Sequence, residues 1–158
     1  MTRIGGPNLD MLWTIHTIGG SKVMTEIDTG TQDLLATLDE GVAILTLNRP
    51  QARNAMSGEM NAALQTMLAD FEINPEVKAV VLTGAGKGFC AGGDVKGMAR
   101  SGDGTVGQNT IDGAIHQQRI HQRGTAGKLF KMPKPTLAAL PGAAAGAGLS
   151  LALACDMR

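Results

Sequence analysis

Two short apolar runs separated by one amphipathic helical stretch constrain this chain more than any other feature. The first run, Val42-Ala43-Ile44-Leu45-Thr46-Leu47, is partly β-branched, follows Gly41 and leads into Asn48-Arg49-Pro50. It reads as a buried strand ending in a loop. Ser57 then stands as the N-cap of a helix. Its Met60, Leu64, Met67, Leu68 and Phe71 recur at helical spacing along one stripe, and Asn74-Pro75 ends it. Val77 and Ala79-Val80-Val81-Leu82 form a second buried strand, stopped by Gly84. Strand, helix and strand in that order put the two strands parallel, joined by a right-handed crossover. The expected fold class is therefore α/β.

Further along, a helix is expected from Ile111 to Phe130, weakened by Gly113, Gly124 and Gly127 and ended by Pro133 and Pro135. Thr136-Leu137-Ala138-Ala139-Leu140 reads as a third strand, Pro141-Gly142 as a turn, and Gly146 to Cys155 as a helix. Residues 1–30 read as an irregular N-terminal extension, with order beginning near Leu34. Residues 31–158 then form the core. At 158 residues and 43% hydrophobic content, the chain can bury one modest core. Fourteen basic residues balance fourteen acidic ones. That balance leaves no electrostatic footprint for nucleic acid or an anionic membrane. The most apolar stretch, Leu137–Cys155, is interrupted by Pro141 and several glycines, and no secretory signal is read at the N-terminus. Cys90 and Cys155 match no metal-ligand spacing and read as buried free thiols, which fits a reducing cytoplasm. His116 and His121, five apart, share no helix face and make no metal pair. Both read as surface residues.

One pattern occurs twice: a buried strand enters a loop rich in glycine and alanine, and the loop opens into a helical stretch. The first loop carries Phe89-Cys90-Ala91-Gly92-Gly93-Asp94, the second Gly142-Ala143-Ala144-Ala145-Gly146-Ala147-Gly148. Small residues let a ligand press against the main chain, and unpaired N–H groups at a helix start favour negative charge. Most such turns only redirect the chain, so the loops alone leave both readings open. The dinucleotide fingerprint fails twice, because Phe89 and Leu151 occupy its third glycine position. A phosphate loop fails because Gly88, not Ser or Thr, follows Gly86-Lys87, and there is no G-x-S-x-G nucleophile elbow.

Four segments together resemble the enoyl-CoA hydratase/isomerase (crotonase) family. They are Val42–Leu47 with Asn48-Arg49-Pro50 and Arg53-Asn54-Ala55; Val80-Val81-Leu82-Thr83-Gly84; Phe89 through Lys96; and Lys134-Pro135 through Cys155-Asp156. The resemblance implies a crotonase-like spiral of ββα units, truncated here before the C-terminal helices. It implies acyl-CoA or enoyl-CoA substrates and a homotrimer or hexamer for the full-length protein. It implies no metal and no cofactor, since coenzyme A is part of the substrate. It assigns the two oxyanion-binding N–H groups to Gly93 and to Ala147, the middle residue of Gly146-Ala147-Gly148. An alanine keeps that donor if its dihedrals are helical. Coenzyme A is expected along Ala91, Gly93 and Val95, with Arg53 and Lys96 near its phosphates.

The sequence departs from two-carboxylate hydratases at Ser150, where those enzymes carry their first acidic residue. Hydration needs a positioned water and two proton transfers, and a serine does not replace a carboxylate base unaided. The second acid or base of the family lies beyond Arg158. Asp94 and Asp156 read as structural hydrogen-bonding groups, and Asp103 and Asp112 as neighbours of a variable acyl-pocket segment. Enolate chemistry such as isomerisation is therefore favoured over strict hydration. A noncatalytic acyl-CoA-binding or assembly remnant is the alternative. A serine peptidase is set aside because Ser150 has no evident partner in the sequence.

Overall fold

The computed structural model describes residues 24–94 and 110–158. Five strands form one sheet in the order β1-β2-β3-β4-β5: β1 (Thr25–Ile27), β2 (Leu34–Asp39), β3 (Val42–Leu47), β4 (Ala79–Gly84) and β5 (Thr136–Ala139). β1, β2 and β3 pair antiparallel, while β3, β4 and β5 run parallel. Among the described residues are four α-helices: α1 (Gly58–Ile73) between β3 and β4, α2 (Ile111–Gly124) and α3 (Ala126–Phe130) between β4 and β5, and α4 (Ala147–Ala154) after β5.

The strand–helix–strand expectation holds. β3 and β4 are in parallel register from Val42↔Ala79 to Leu47↔Gly84, with α1 between them in sequence. α1 starts where Ser57 Oγ accepts a hydrogen bond from the Met60 N–H (3.1 Å) and donates one to Asp33 Oδ2. A cap of this kind contributes about 1 kcal/mol. Met60, Leu64, Met67, Leu68 and Phe71 are all buried, as their spacing requires. At the other end Lys134 Nζ donates to the carbonyls of Phe71 and Asn74, oxygens that the helix itself leaves unpaired. That contact ties the start of β5 to the end of α1.

Three elements differ from expectation. Pairing begins before Leu34, because β1 lies inside the stretch read as irregular and pairs with β2 from Thr25↔Leu38 to Ile27↔Ala36. β2 reaches β3 through Glu40 (φ 49°) and Gly41 (φ 86°), a two-residue hairpin turn with both centres left-handed. The expected helix from Ile111 to Phe130 is two helices, broken at Thr125 (φ −115°, ψ −92°). The buried Thr125 hydroxyl donates back to the His121 carbonyl (2.7 Å).

Candidate active site

β4 and β5 are adjacent and parallel, so the loops that follow them leave the sheet at the same end, side by side. The Phe89 and Cys90 N–H groups donate to the Ala143 carbonyl (3.1 and 3.3 Å), and the Ala145 N–H donates to the Cys90 carbonyl (2.9 Å). Bulky residues could not approach this closely. A Cβ on Gly142 would sit 2.2 Å from the Lys87 carbonyl oxygen, and one on Gly148 would sit 2.5 Å from both the Cβ and the carbonyl oxygen of Cys90. The glycines that the sequence placed in these loops thus permit contact between two backbones. Burial pushes the Cys90 thiol above its ordinary pKa, and the Gly92 backbone only partly offsets that. Cys90 therefore packs as an apolar group.

A third segment, between β3 and α1, holds the first loop in place. Asn54 is fully buried at φ 54°, a left-handed conformation that asparagine tolerates. Its Oδ1 accepts from the Arg49 N–H (2.9 Å), and its Nδ2 donates to the carbonyls of Ala85 (2.9 Å) and Gly88 (2.8 Å). Arg49 in turn donates to the Ala55 carbonyl (2.7 Å) and to Asp94 (2.9 Å). Asp94 and Asp156 thus do serve in hydrogen bonding. Asp156 Oδ2 accepts from both the N–H and the hydroxyl of Thr136 (2.8 Å each), which holds its carboxyl below the usual carboxylate range.

These supports fix the direction of two amides. Met56 and Gly93 form a parallel bridge, in which the Met56 N–H donates to the Gly92 carbonyl (2.8 Å) and the Asp94 N–H to the Met56 carbonyl (3.2 Å). Gly93 lies between those bonded groups, so its own N–H points away from Met56. Ala147 is the first residue of α4, behind Gly146 at φ 51° and ψ −125°. Among the described residues neither the Gly93 nor the Ala147 N–H meets an acceptor. The two loops pack so closely that a Cβ on Gly92 would lie 3.5 Å from the Ala147 nitrogen.

Gly93, Ala147 and Ser150 border one cavity of about 470 Å³. The Ser150 hydroxyl donates to the Gly146 carbonyl one turn back (3.3 Å). His121, read from sequence as a surface residue, is exposed but stands on this same cavity's wall, with Asn61 and Gln118. No spacing signal marks it in the sequence, because α2 reaches the cavity only through the tertiary fold. Arg53 and Ala91 lie together in two neighbouring grooves of about 480 and 420 Å³. Lys87, missed in the sequence, joins them in the first, and Gly93 borders the second as well as the cavity. Val95, Lys96 and Asp103 lie outside the described residues. Among the described residues no cluster of three or more His, Cys, Asp or Glu side chains could hold a metal ion, and no helix is long and apolar enough to cross a membrane.

Comparison with known proteins gives this arrangement its context. The family model described as enoyl-CoA hydratase/isomerase matches residues 37–158. YngF of Bacillus subtilis, named for enoyl-CoA hydratase/isomerase, is 42% identical over 130 residues, covering 82% of this chain and 46% of its own length. The 1,2-epoxyphenylacetyl-CoA isomerase of Escherichia coli is 37% identical over 124 residues, covering 78% and 45% respectively. A crystal structure of an enoyl-CoA hydratase/isomerase from Xanthobacter autotrophicus superposes with a TM-score of 0.69 at 35% identity, covering 79% of this chain and 44% of that one. The chain thus spans about half the length of the relatives it matches, and its mixed sheet and helices are crotonase-like. By sequence and by fold together, the chain belongs to the enoyl-CoA hydratase/isomerase family.

Proposed function

We propose that this chain carries the thioester-binding part of an enoyl-CoA hydratase/isomerase active site, with the N–H groups of Gly93 and Ala147 as the oxyanion hole. One observation supports it above the rest: two amides without an acceptor among the described residues, on interlocked loops, border a single cavity. The adenosine phosphate end of an acyl-CoA runs along the groove of Arg53, Ala91 and Lys87, where two cations and small side chains suit it. Gly93 joins the neighbouring groove to the cavity, so the thioester reaches both amides.

The chemistry follows from charge. When a C–H bond next to the thioester carbonyl breaks, its electron pair moves onto the carbonyl oxygen. Fixed donors aimed at that oxygen stabilise the enolate-like transition state more than the neutral ground state. One such donor contributes about 2.7–4 kcal/mol to lowering the barrier. Ser150 already donates to its own helix and supplies no carboxylate. That favours isomerisation or related enolate chemistry over two-carboxylate hydration. The family reading carries a homotrimer or paired trimers for the full-length protein, which light scattering tests.

The experiment is a panel of acyl- and enoyl-CoAs followed by mass spectrometry, with wild type beside Gly93→Pro. Gly93 is not among the positive-φ glycines, and the Met56 bridge uses only the Gly92 carbonyl and the Asp94 N–H. Proline therefore deletes the one N–H at issue. Turnover is expected to fall roughly 100- to 1,000-fold while part of the CoA affinity persists. Unchanged turnover excludes Gly93 as a donor. Tight acyl-CoA binding with no conversion of any substrate favours the noncatalytic alternative.

A further inference from the structure

Among the described residues, the wall of the cavity that the two amides border is almost without ionisable groups. Of the described residues bordering it, His121 is the one whose side chain carries a ring nitrogen lone pair able to accept a proton. The others that contribute polar atoms are amides and hydroxyls, such as Asn61, Gln118, Thr125 and Ser150. Resting on the reading of this cavity as the thioester site, we propose that His121 is its catalytic acid–base residue. It takes a proton from the carbon next to an acyl-CoA carbonyl and returns one to the resulting enolate.

The fold fixes this histidine in position. His121 sits in the last turn of α2, where its carbonyl accepts from both the N–H (3.1 Å) and the hydroxyl (2.7 Å) of Thr125. In that same turn Gly124 lies against the Gln65 side chain of α1, for a Cβ there would lie 2.5 Å from the Gln65 side-chain oxygen. The end of α2 is thus contacted from two directions, and His121 borders the cavity from a helix end instead of a loop. His116, on the same helix, does not border the cavity.

The step balances without any further reagent. A lone pair of the neutral imidazole accepts the proton, the C–H electrons become the enolate π bond, and the carbonyl π electrons move onto the oxygen between Gly93 and Ala147. Reversal at the same carbon exchanges solvent hydrogen into the substrate. Return at the vinylogous carbon of a 3-enoyl thioester moves the double bond, and the imidazole ends as it began.

The test is deuterium incorporation into butyryl-CoA in D₂O, read by mass spectrometry, with butyryl-CoA affinity measured by calorimetry on the same samples. Wild type and His116→Gln are expected to incorporate deuterium. His121→Gln, neutral and of similar length, is expected to lose about 100-fold or more of that rate, with affinity within about twofold of wild type. Rescue of the His121→Gly variant by added imidazole supports the same role. Exchange by His121→Gln at the wild-type rate overturns the assignment while leaving the thioester site standing, as does a bound but non-exchanging wild type. Absence of any butyryl-CoA binding by wild type overturns the thioester site itself, and His121 with it.

Discussion

Replacing Gly148 by alanine pushes directly on the contact that orients the two amides. The new methyl would meet the Cys90 carbonyl oxygen and Cβ at 2.5 Å and the Cys90 Sγ at 2.9 Å. Ordinary carbon contacts begin near 3.4 Å, so the loops must part by about 0.9 Å. They are held by three backbone hydrogen bonds, from Phe89, Cys90 and Ala145, and the obstructing oxygen belongs to the backbone. No rotamer change relieves it. Overpacking of this kind costs about 1–3 kcal/mol. Because Gly148 follows Ala147, the same displacement carries one proposed donor away from the other, and a misplacement of about 1 Å costs roughly 100-fold in rate. Urea denaturation followed by circular dichroism measures the first effect, and deuterium exchange into butyryl-CoA the second. Gly58→Ala is the matched control: it opens α1, its Cβ meets nothing within 4 Å, and a gain of about 0.4–1 kcal/mol is expected. A Gly148→Ala protein as stable and as active as wild type would refute the argument that loop contact sets the donor geometry.

Other consequences follow from single residues. Asn54→Ala removes three hydrogen bonds from a fully buried position and leaves their backbone partners unpaired, so a loss of about 3–5 kcal/mol is expected in urea unfolding. The Asp156 carboxyl is held below its ordinary value of 3.8 by Thr136. Its contribution is therefore present above that pH and is lost as the carboxylate protonates. The stability gap between wild type and Asp156→Asn is expected to be widest near neutrality and to close as the pH falls below 3.8 in a series of urea midpoints. Burial pushes the Cys155 thiol from 9.0 up to about 11, so the unfolded chain ionises first as the pH rises. Stability is expected to decline across that interval, and Cys155→Ala is expected to flatten the decline.

Much of the fold was legible because its parts announce themselves locally. β3, β4 and β5 are short apolar runs bounded by glycine, asparagine or proline, and α1 has a cap, a stripe and a stop. β2 was harder to read because Leu34 and Leu35 are adjacent. The first is buried and the second is 42% exposed, so the alternation of a half-buried strand is blurred. β1 has three residues and owes its form to pairing with β2, which no local pattern encodes. The break at Thr125 depends on a hydroxyl returning to His121, where sequence offered only nearby glycines.

The candidate site divides in the same way. The loops carrying Gly93 and Ala147 were visible in sequence as small-residue stretches after strands, whereas the choice of Gly93, Ala147 and Ser150 within them came from the family resemblance; that all three border one cavity follows from β4 and β5 being parallel neighbours. Arg53 and Ala91 come together in the grooves beside them. Asn54, Lys87 and His121 were missed, since each gains its place through contacts at long sequence range. For Asn54 a signal existed: an asparagine after Arg53 in a turn suits the left-handed backbone that both residues adopt.

The central claim is that one thioester oxygen is held by two particular amides, and amide NMR of ¹⁵N-labelled protein titrated with butyryl-CoA tests it most directly. The Gly93 and Ala147 resonances are expected to shift together, saturating at one common ligand concentration, and to remain nearly still when coenzyme A without an acyl group is added instead. Saturating butyryl-CoA that moves only one of them, or neither, would contradict the account.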